Sequence, residues 1–356
     1  MVLKILGNEI EAGSKAFFRL KVAKLLDGSE LTIPLHVVNG DRQGPALGLV
    51  SSVHGQEYYH NRIVRKIILE TDPSQLKGTL LAIPVANPPA FQHSKRRTPD
   101  PPEMTVDFAN LNRVFPGRRL VPLFGSLEPT DVSLTMKMAR IITDEFVNKC
   151  NYIIDFHGHM QGGSLKKILY ERNSEESTEM SKIFGLGIIH DPITASGDEW
   201  KGPYMPLTAY ASKIGIPAIT PEIGGGGHGE KFELLCEEIG ARGVRNIMGH
   251  LKMLDEEIVT PERQFYFRRA PHIRATHGGY LISNMRPEDV GIGCPTREIQ
   301  KGEVLGTVYD PYTFEELEQL KSPVDGLLYM CLISGLIPPQ GYGIAVADYQ
   351  DSKWIE

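Results

Sequence analysis

Several common signatures are missing from these 356 residues. The four cysteines, Cys150, Cys236, Cys294 and Cys331, are widely spaced and form no CxxC pair. That argues for reduced thiols in a cytosolic protein and against a disulfide framework. The opening stretch "MVLKILGNEIEAG" carries Lys4, Glu9 and Glu11 and no apolar run of signal-peptide length, and no segment approaches a membrane span. A soluble, cytoplasmic protein with no membrane partner is expected. A basic excess is lacking: the net charge is -6 and the basic cluster Lys95, Arg96, Arg97 is short, so nothing marks a nucleic-acid partner. No Walker pattern occurs, and the glycines of "GGGGHG" are followed by no Lys-Ser/Thr, which makes a phosphate cradle a weak option.

What is present is ordinary for a globular enzyme: 41% hydrophobic and 23% charged residues, in a chain long enough for two domains. "KAFFRLKVAK" and "ELTIPLHVVNG", separated by "LLDGS", read as a β-hairpin. "PALGLVSSVHG", "GTLLAIPVAN", "CNYIIDFHGH" and "IPAITPEIGG" read as buried strands. Helical spacing runs through "YYHNRIVRKIILET", "DVSLTMKMARIITDEFVNK" and "ELLCEEIGARGVRNIMGHLKML". Strands alternating with helices imply an α/β fold, a mixed or parallel sheet covered by helices on both faces. Beyond about residue 260, where the long helix is expected to run out at Pro261, short strands punctuated by Gly and Pro predict an all-β domain. The domains expected are therefore 1–260 and 261–356. Between residues 91 and 120 the chain has neither period, and irregular stretches of that length are more often functional than idle.

His54 and His157 each terminate an apolar run beside a glycine, where open α/β sheets place their ligand sites. With Glu57 they would complete a His2Glu set, the three-ligand arrangement of a catalytic zinc. Asp155, two residues before His157 on the same strand face, could hold a ligand imidazole in one tautomer. The bland alternative is a helix-start accident, since HxxE spacing is common by chance. Glu222, between an apolar strand and four glycines, offers the carboxylate that a hydrolase needs for proton transfer; it could equally be a helix-initiating acid. Asn112 and Arg113 in "NLNRVFPG" could grip a carboxylate, and Arg97 could polarise a carbonyl. For Arg96, Arg118 and Arg119 a solvated surface loop is the simpler reading.

In this order "HGQE", "NPPAF", "RRTP", "NLNRVFPG", "DFHGH" and "PEIGGGG" resemble the succinylglutamate desuccinylase/aspartoacylase family, a branch of the zinc-carboxypeptidase superfamily. The look is closest to members that deacetylate N-alpha-acetyl-diaminobutyrate. The resemblance spans residues 50 to 230, and the β-rich tail is similar to that family's C-terminal domain. It implies one zinc per chain on His54, Glu57 and His157, with Glu222 as general base and then acid. It further implies Asn112 and Arg113 on the substrate carboxylate and Arg97 on the carbonyl oxygen. Many members have Asp where this chain has Asn110. His159 and His228 lie near the expected site with no transferable role, and a satisfied loop histidine is the simpler reading of each.

The tail "KSPVDGLLYMCLISGLIPPQGYGIAVA" also resembles a lipoyl-type barrel. A carrier would display a lysine at a hairpin tip, which this stretch does not supply, and Lys321 reads as a turn residue before the strand. The tail is therefore expected to cap and narrow the active-site mouth. Together these readings predict a zinc amidohydrolase that removes a short acyl group, acetyl or similar, from a small N-acylated amino acid or related amine. A homo-oligomer is a reasonable expectation for such an enzyme. The rivals are a metallocarboxypeptidase acting on peptides and a catalytically silent metal-binding scaffold. Trp200, Tyr204 and His228 hint at a polar, aromatic-lined pocket.

Overall fold

A computed structural model describes residues 3–99, 110–117, 133–170, 174–191 and 205–356. The predicted hairpin forms from Ser14–Lys24 and Glu30–Asn39, paired antiparallel from Ser14↔Asn39 to Lys24↔Glu30. Its turn uses Gly28 at φ +86°, a left-handed conformation that costs glycine little. The hairpin continues a long mixed sheet. Lys77–Ile83, Arg42–Val50, Tyr152–Asp155, Ala218–Gly225 and Gly163–Tyr170 follow it in spatial order. Arg42–Val50 is parallel to both its neighbours, and Tyr152–Asp155 is parallel to Ala218–Gly225.

Alternate residues along these strands feed two separate cores. Leu80, Ala82, Ile154 and Ile219 pack on one face with Ile63, Ile67 and Val244. Leu81, Ile83, Ile153 and Ala218 pack on the other with Met138, Ile142 and Leu207. The helices Asn61–Glu70 and Glu230–His250 thus cover one face, and Leu134–Glu145 covers the other. This is the zinc-carboxypeptidase-like α/β architecture that the sequence predicts. Two local expectations fail. The long helix stops at His250, ahead of Pro261, because Lys252 enters the left-handed region at φ +55° and turns the chain. Lys321 does precede the strand Gly326–Leu332, but it closes the strand Glu316–Lys321 and is not a turn residue.

The C-terminal segment is antiparallel β. Glu316–Lys321, Val304–Tyr309, Gly279–Ser283 and Ser334–Ile337 form one small sheet in that order. A second group, Gly326–Leu332 with Tyr342–Asp348 and His272–Arg274, joins the main sheet through Leu332↔Gly163, Cys331↔Ser164 and Met330↔Leu165. Gln264–Phe267 adds a further stitch, parallel to Ile188–His190. The sequence reading missed Gly163–Tyr170, the strand that makes this join. Its apolar run is broken by Lys166 and Lys167, which hides a strand from a hydrophobic pattern. No helix among the described residues is long and apolar enough to cross a membrane.

Candidate functional site

Arg42–Val50 and Tyr152–Asp155 run side by side, with Val50 opposite Asp155, so the segments leaving their carboxyl ends emerge together. His54 and His157 follow those ends. After His54 the chain turns back tightly, Glu57 N–H donating to the His54 carbonyl at 3.1 Å. The turn requires Gly55, because a Cβ there would lie 2.0 Å from the Ala90 carbonyl carbon. Asn87 holds the facing segment: it caps the helix Pro88–Gln92 by accepting from Ala90 N–H at 3.2 Å, and its amide donates to Thr98 at 3.2 Å. The "NPPAF" and "RRTP" pieces are thus tied to each other, and Gln56 N–H binds the Lys95 carbonyl at 3.1 Å.

His54, Glu57 and His157 converge. Each is buried, and their ligand atoms lie within 4.8 Å of one another. His54 Nδ1 stands 2.9 Å from Glu57 Oε1, and His157 Nδ1 stands 2.8 Å from Glu57 Oε2. The remote nitrogens decide the tautomers. His157 Nε2 lies 3.1 Å from Asp155 Oδ2, an acceptor. His54 Nε2 lies 3.3 Å from Asn110 Oδ1, and that atom is identified as oxygen because it also accepts from Asn112 N–H at 3.0 Å. With both Nε2–H groups donating, two neutral imidazoles turn Nδ1 lone pairs towards the Glu57 carboxylate. Three acceptors at such short range need either a cation or a bridging proton among them. The donor set, two imidazole nitrogens and a carboxylate, fits a zinc-type ion.

The electrostatics favour a proton on His157 where no cation takes that place. Burial alone would depress His157, but Asp155 and Glu57 outweigh it and hold the ring well above its usual range. Burial dominates at His54 and lowers it, although Glu57 opposes. Burial would raise Glu57, yet the two histidines keep it well below the ordinary carboxylate range.

Glu222 is the Cα partner of His157 across two parallel strands. It is partly buried, and that burial raises its pKa against the pull of His157, Lys167 and Arg96. Asn112 Oδ1 accepts from Leu207 N–H at 3.1 Å, which turns Nδ2 to a point 3.4 Å from His157 Nε2. Arg113 is exposed beside it, donating to the Asn112 carbonyl at 2.6 Å. Arg96 is the loop arginine that reaches the cluster: its Nη1 lies 3.2 Å from Glu57 Oε1, while the Arg97 side chain is exposed. Sequence reasoning preferred Arg97 and assigned no role to Asn110. Asn110 stands two residues before Asn112 in "NLNRVFPG", the one signal that placed it near the site. His228 Nε2 pairs with the Gly163 carbonyl at 2.8 Å. His159 is buried, its Nδ1 has no hydrogen-bond partner among the described residues, and burial pushes its pKa down to about 4. Trp200, Tyr204, Arg118 and Arg119 lie outside the described residues.

Residues 43–251 match the model of the succinylglutamate desuccinylase/aspartoacylase catalytic domain. The chain belongs to this family. Its members are hydrolases acting on small acylated substrates. Among solved structures the fold is similar to a succinylglutamate desuccinylase/aspartoacylase from Rhodobacter sphaeroides. The TM-score is 0.75 at 18% identity, covering 95% of this chain and 98% of that one. It is also similar to the product-bound ectoine utilization protein EutE (DoeB) from Ruegeria pomeroyi, with TM-score 0.73, 20% identity and 94% of both chains covered. A succinylglutamate desuccinylase from Silicibacter sp. TM1040 gives 0.73 at 19%, covering 94% and 95%. No curated protein matches the sequence.

Proposed function

We propose that this family member is a zinc-dependent, cytoplasmic amidohydrolase that removes a short acyl group from an N-acylated amino acid or related small amine. The observation that carries the reading is the convergence of His54 Nδ1 and His157 Nδ1 on the Glu57 carboxylate, with Glu222 in register beside them. One zinc ion per chain, held by His54, Glu57 and His157, would supply Lewis-acid polarisation and an acidified water. Glu222 takes the proton of the attacking water and returns it to the departing nitrogen. Arg96, whose guanidinium already reaches the cluster, supports the carbonyl oxygen in the place expected of Arg97. Asn112 Nδ2 and Arg113 hold the substrate carboxylate. Asp155 and Asn110 keep both histidines in the ligating tautomer. In this division of labour residues 1–260 carry the chemistry and 261–356 cap it.

The test is amine release from N-acetyl, N-succinyl and N-formyl amino acids, with and without chelator. Turnover that chelation abolishes and zinc restores is the expected result. Release from peptides alone would favour a metallocarboxypeptidase, and tight zinc without any turnover would favour a scaffold.

A further inference from the structure

The small C-terminal sheet buries one face and leaves the other bare. Leu281, Leu305, Val308, Leu320 and Ile337 sink into the core that also holds Ile63 and Val244. On the opposite face Tyr280 stands between Leu336 and Tyr309 in one cross-strand row, and Ile282 stands between Ser334 and Thr307 in the next. Leu336 is 78% exposed, Ile282 50% and Tyr280 41%. An antiparallel sheet with one face in water normally carries polar residues there.

The first row runs on into the hairpin tip 310–315, because Asp310 follows Tyr309 directly. The tip is held closed. The Asp310 carboxylate accepts from Tyr312 N–H at 2.7 Å and from Thr313 N–H at 3.0 Å, and Phe314 N–H donates to the Asp310 carbonyl at 3.0 Å. Tyr312 is 89% exposed and Phe314 79%. Phe314 sits at φ +65°, a left-handed conformation that a bulky side chain disfavours. Two aromatic rings are thus fixed in solvent on a rigid, strained turn, which is the arrangement of interface anchors and not of a slack loop.

Area and charge choose the occupant. The five exposed side chains present roughly 600 Å² of apolar surface, which at the roughly 65% apolar share of homodimer interfaces makes a footprint of about 900 Å² per partner. A stable pair needs about 800 Å² per partner. Charge is split along the strands: exposed Glu315 and Glu316 lie at the tip end, and exposed Lys301 and Lys321 lie at the other. The carboxylates near those lysines, Glu303 and Asp325, are engaged by Arg297 and by Lys301 N–H. A twofold axis through the face lays the acidic end of one copy on the basic end of the other, so the surface complements itself. Two rival occupants fit less well. Strand addition along Ser334–Ile337 is cut short by Pro338 and Pro339, which have no N–H to offer. An anionic lipid surface would repel Glu315 and Glu316 beside the rings.

We propose that this face is a homodimer contact: two copies pack their C-terminal sheets face to face about a twofold axis, Tyr312 and Phe314 of each anchoring against Tyr280, Ile282 and Leu336 of the other. The proposal stands apart from the catalytic reading, because none of these residues belongs to the metal cluster.

The experiment is sedimentation equilibrium of the full-length protein over a concentration series. Wild type should associate to twice the chain mass. Leu336→Glu and Phe314→Gly should each weaken the dimer about 100-fold, because each change is met twice across the axis. Phe314→Gly carries its own folding control. Glycine suits φ +65°, so in dilute solution this variant should melt no lower than wild type while losing association. Lys301→Glu with Lys321→Glu should also weaken the dimer, and adding Glu315→Lys and Glu316→Lys should restore part of it. A wild type that stays monomeric at its highest soluble concentration, or a dimer that none of these substitutions weakens, would overturn the proposal. A monomer that co-sediments with phosphatidylcholine vesicles would overturn it in favour of a lipid surface. Hydrogen exchange reads the face without variants: amides within 279–283, 309–315 and 334–337 should gain protection as wild type is concentrated. Protection confined to another surface would refute the assignment.

Discussion

Replacing Asp155 by Asn tests the metal-centre argument at its most constrained point. Asp155 is 1% exposed and its Oδ2 accepts from His157 Nε2 at 3.1 Å. The substitution keeps the shape and removes the charge. An amide oxygen can still accept that hydrogen, but a neutral partner leaves the imidazole a poorer donor to a cation. An amide turned the other way opposes two donors and drives the proton to Nδ1, where His157 can no longer ligate. Loss of such an orienting carboxylate typically weakens metal binding about 10- to 100-fold, or about 1.4–2.7 kcal/mol. Zinc affinity measured by competition with a chromophoric chelator at neutral pH should fall by that factor. The acid side supplies an internal check. Asp155 helps hold His157 protonated in the metal-free protein, so protons compete with zinc as the pH falls through that raised pKa. The variant has a lower His157 pKa and suffers less competition, so its deficit should be widest at high pH and narrow towards acid. A zinc affinity in Asp155→Asn within twofold of wild type across that range would refute the tautomer argument.

Glu222→Gln should lower kcat by about 10²–10⁴-fold while leaving zinc affinity intact, because Glu222 is outside the ligand set; loss of zinc on calorimetry would contradict that placement. The base must be ionised, and burial raises Glu222 above the usual carboxylate range against His157, Lys167 and Arg96. Activity should therefore fall as the pH drops through that raised value, and a kcat/KM profile with its acid limb at or below an ordinary carboxylate pKa would count against Glu222 as base. Asn110→Asp retains an acceptor for both Asn112 N–H and His54 Nε2 and adds charge, so zinc should bind several-fold tighter. Weaker zinc in the same chelator competition would show that the neutral amide is required.

Much of the fold was legible because its strands are apolar on both faces. "GTLLAIPVAN" places Leu80 and Ala82 in one core and Leu81 and Ile83 in the other, and only a strand covered on both sides tolerates that pattern. The hairpin was legible from alternation, and the helix around Ile63 and Ile67 from its spacing. Gly163–Tyr170 was not legible, because two lysines interrupt it, and nothing local says that they stand at a seam between sheets. The end of the helix at His250 was equally hidden, since it depends on Lys252 adopting a backbone conformation that its side chain does not favour.

The site divides along the same physical line. The convergence of His54 and His157 could be read directly, because strand order alone brings the ends of Arg42–Val50 and Tyr152–Asp155 together. Which of two adjacent arginines turns inward could not, since that depends on Gln56 holding the Lys95 carbonyl and on Asn87 holding Thr98. Lys167 was hidden for a third reason: its neighbours come from positions as distant as His190 and Tyr329. In sequence it is one of two lysines in an unremarked stretch. In the sheet it is the next residue in a row that begins at His157 and passes through Glu222, so its place beside Glu222 is set by strand register and not by any motif.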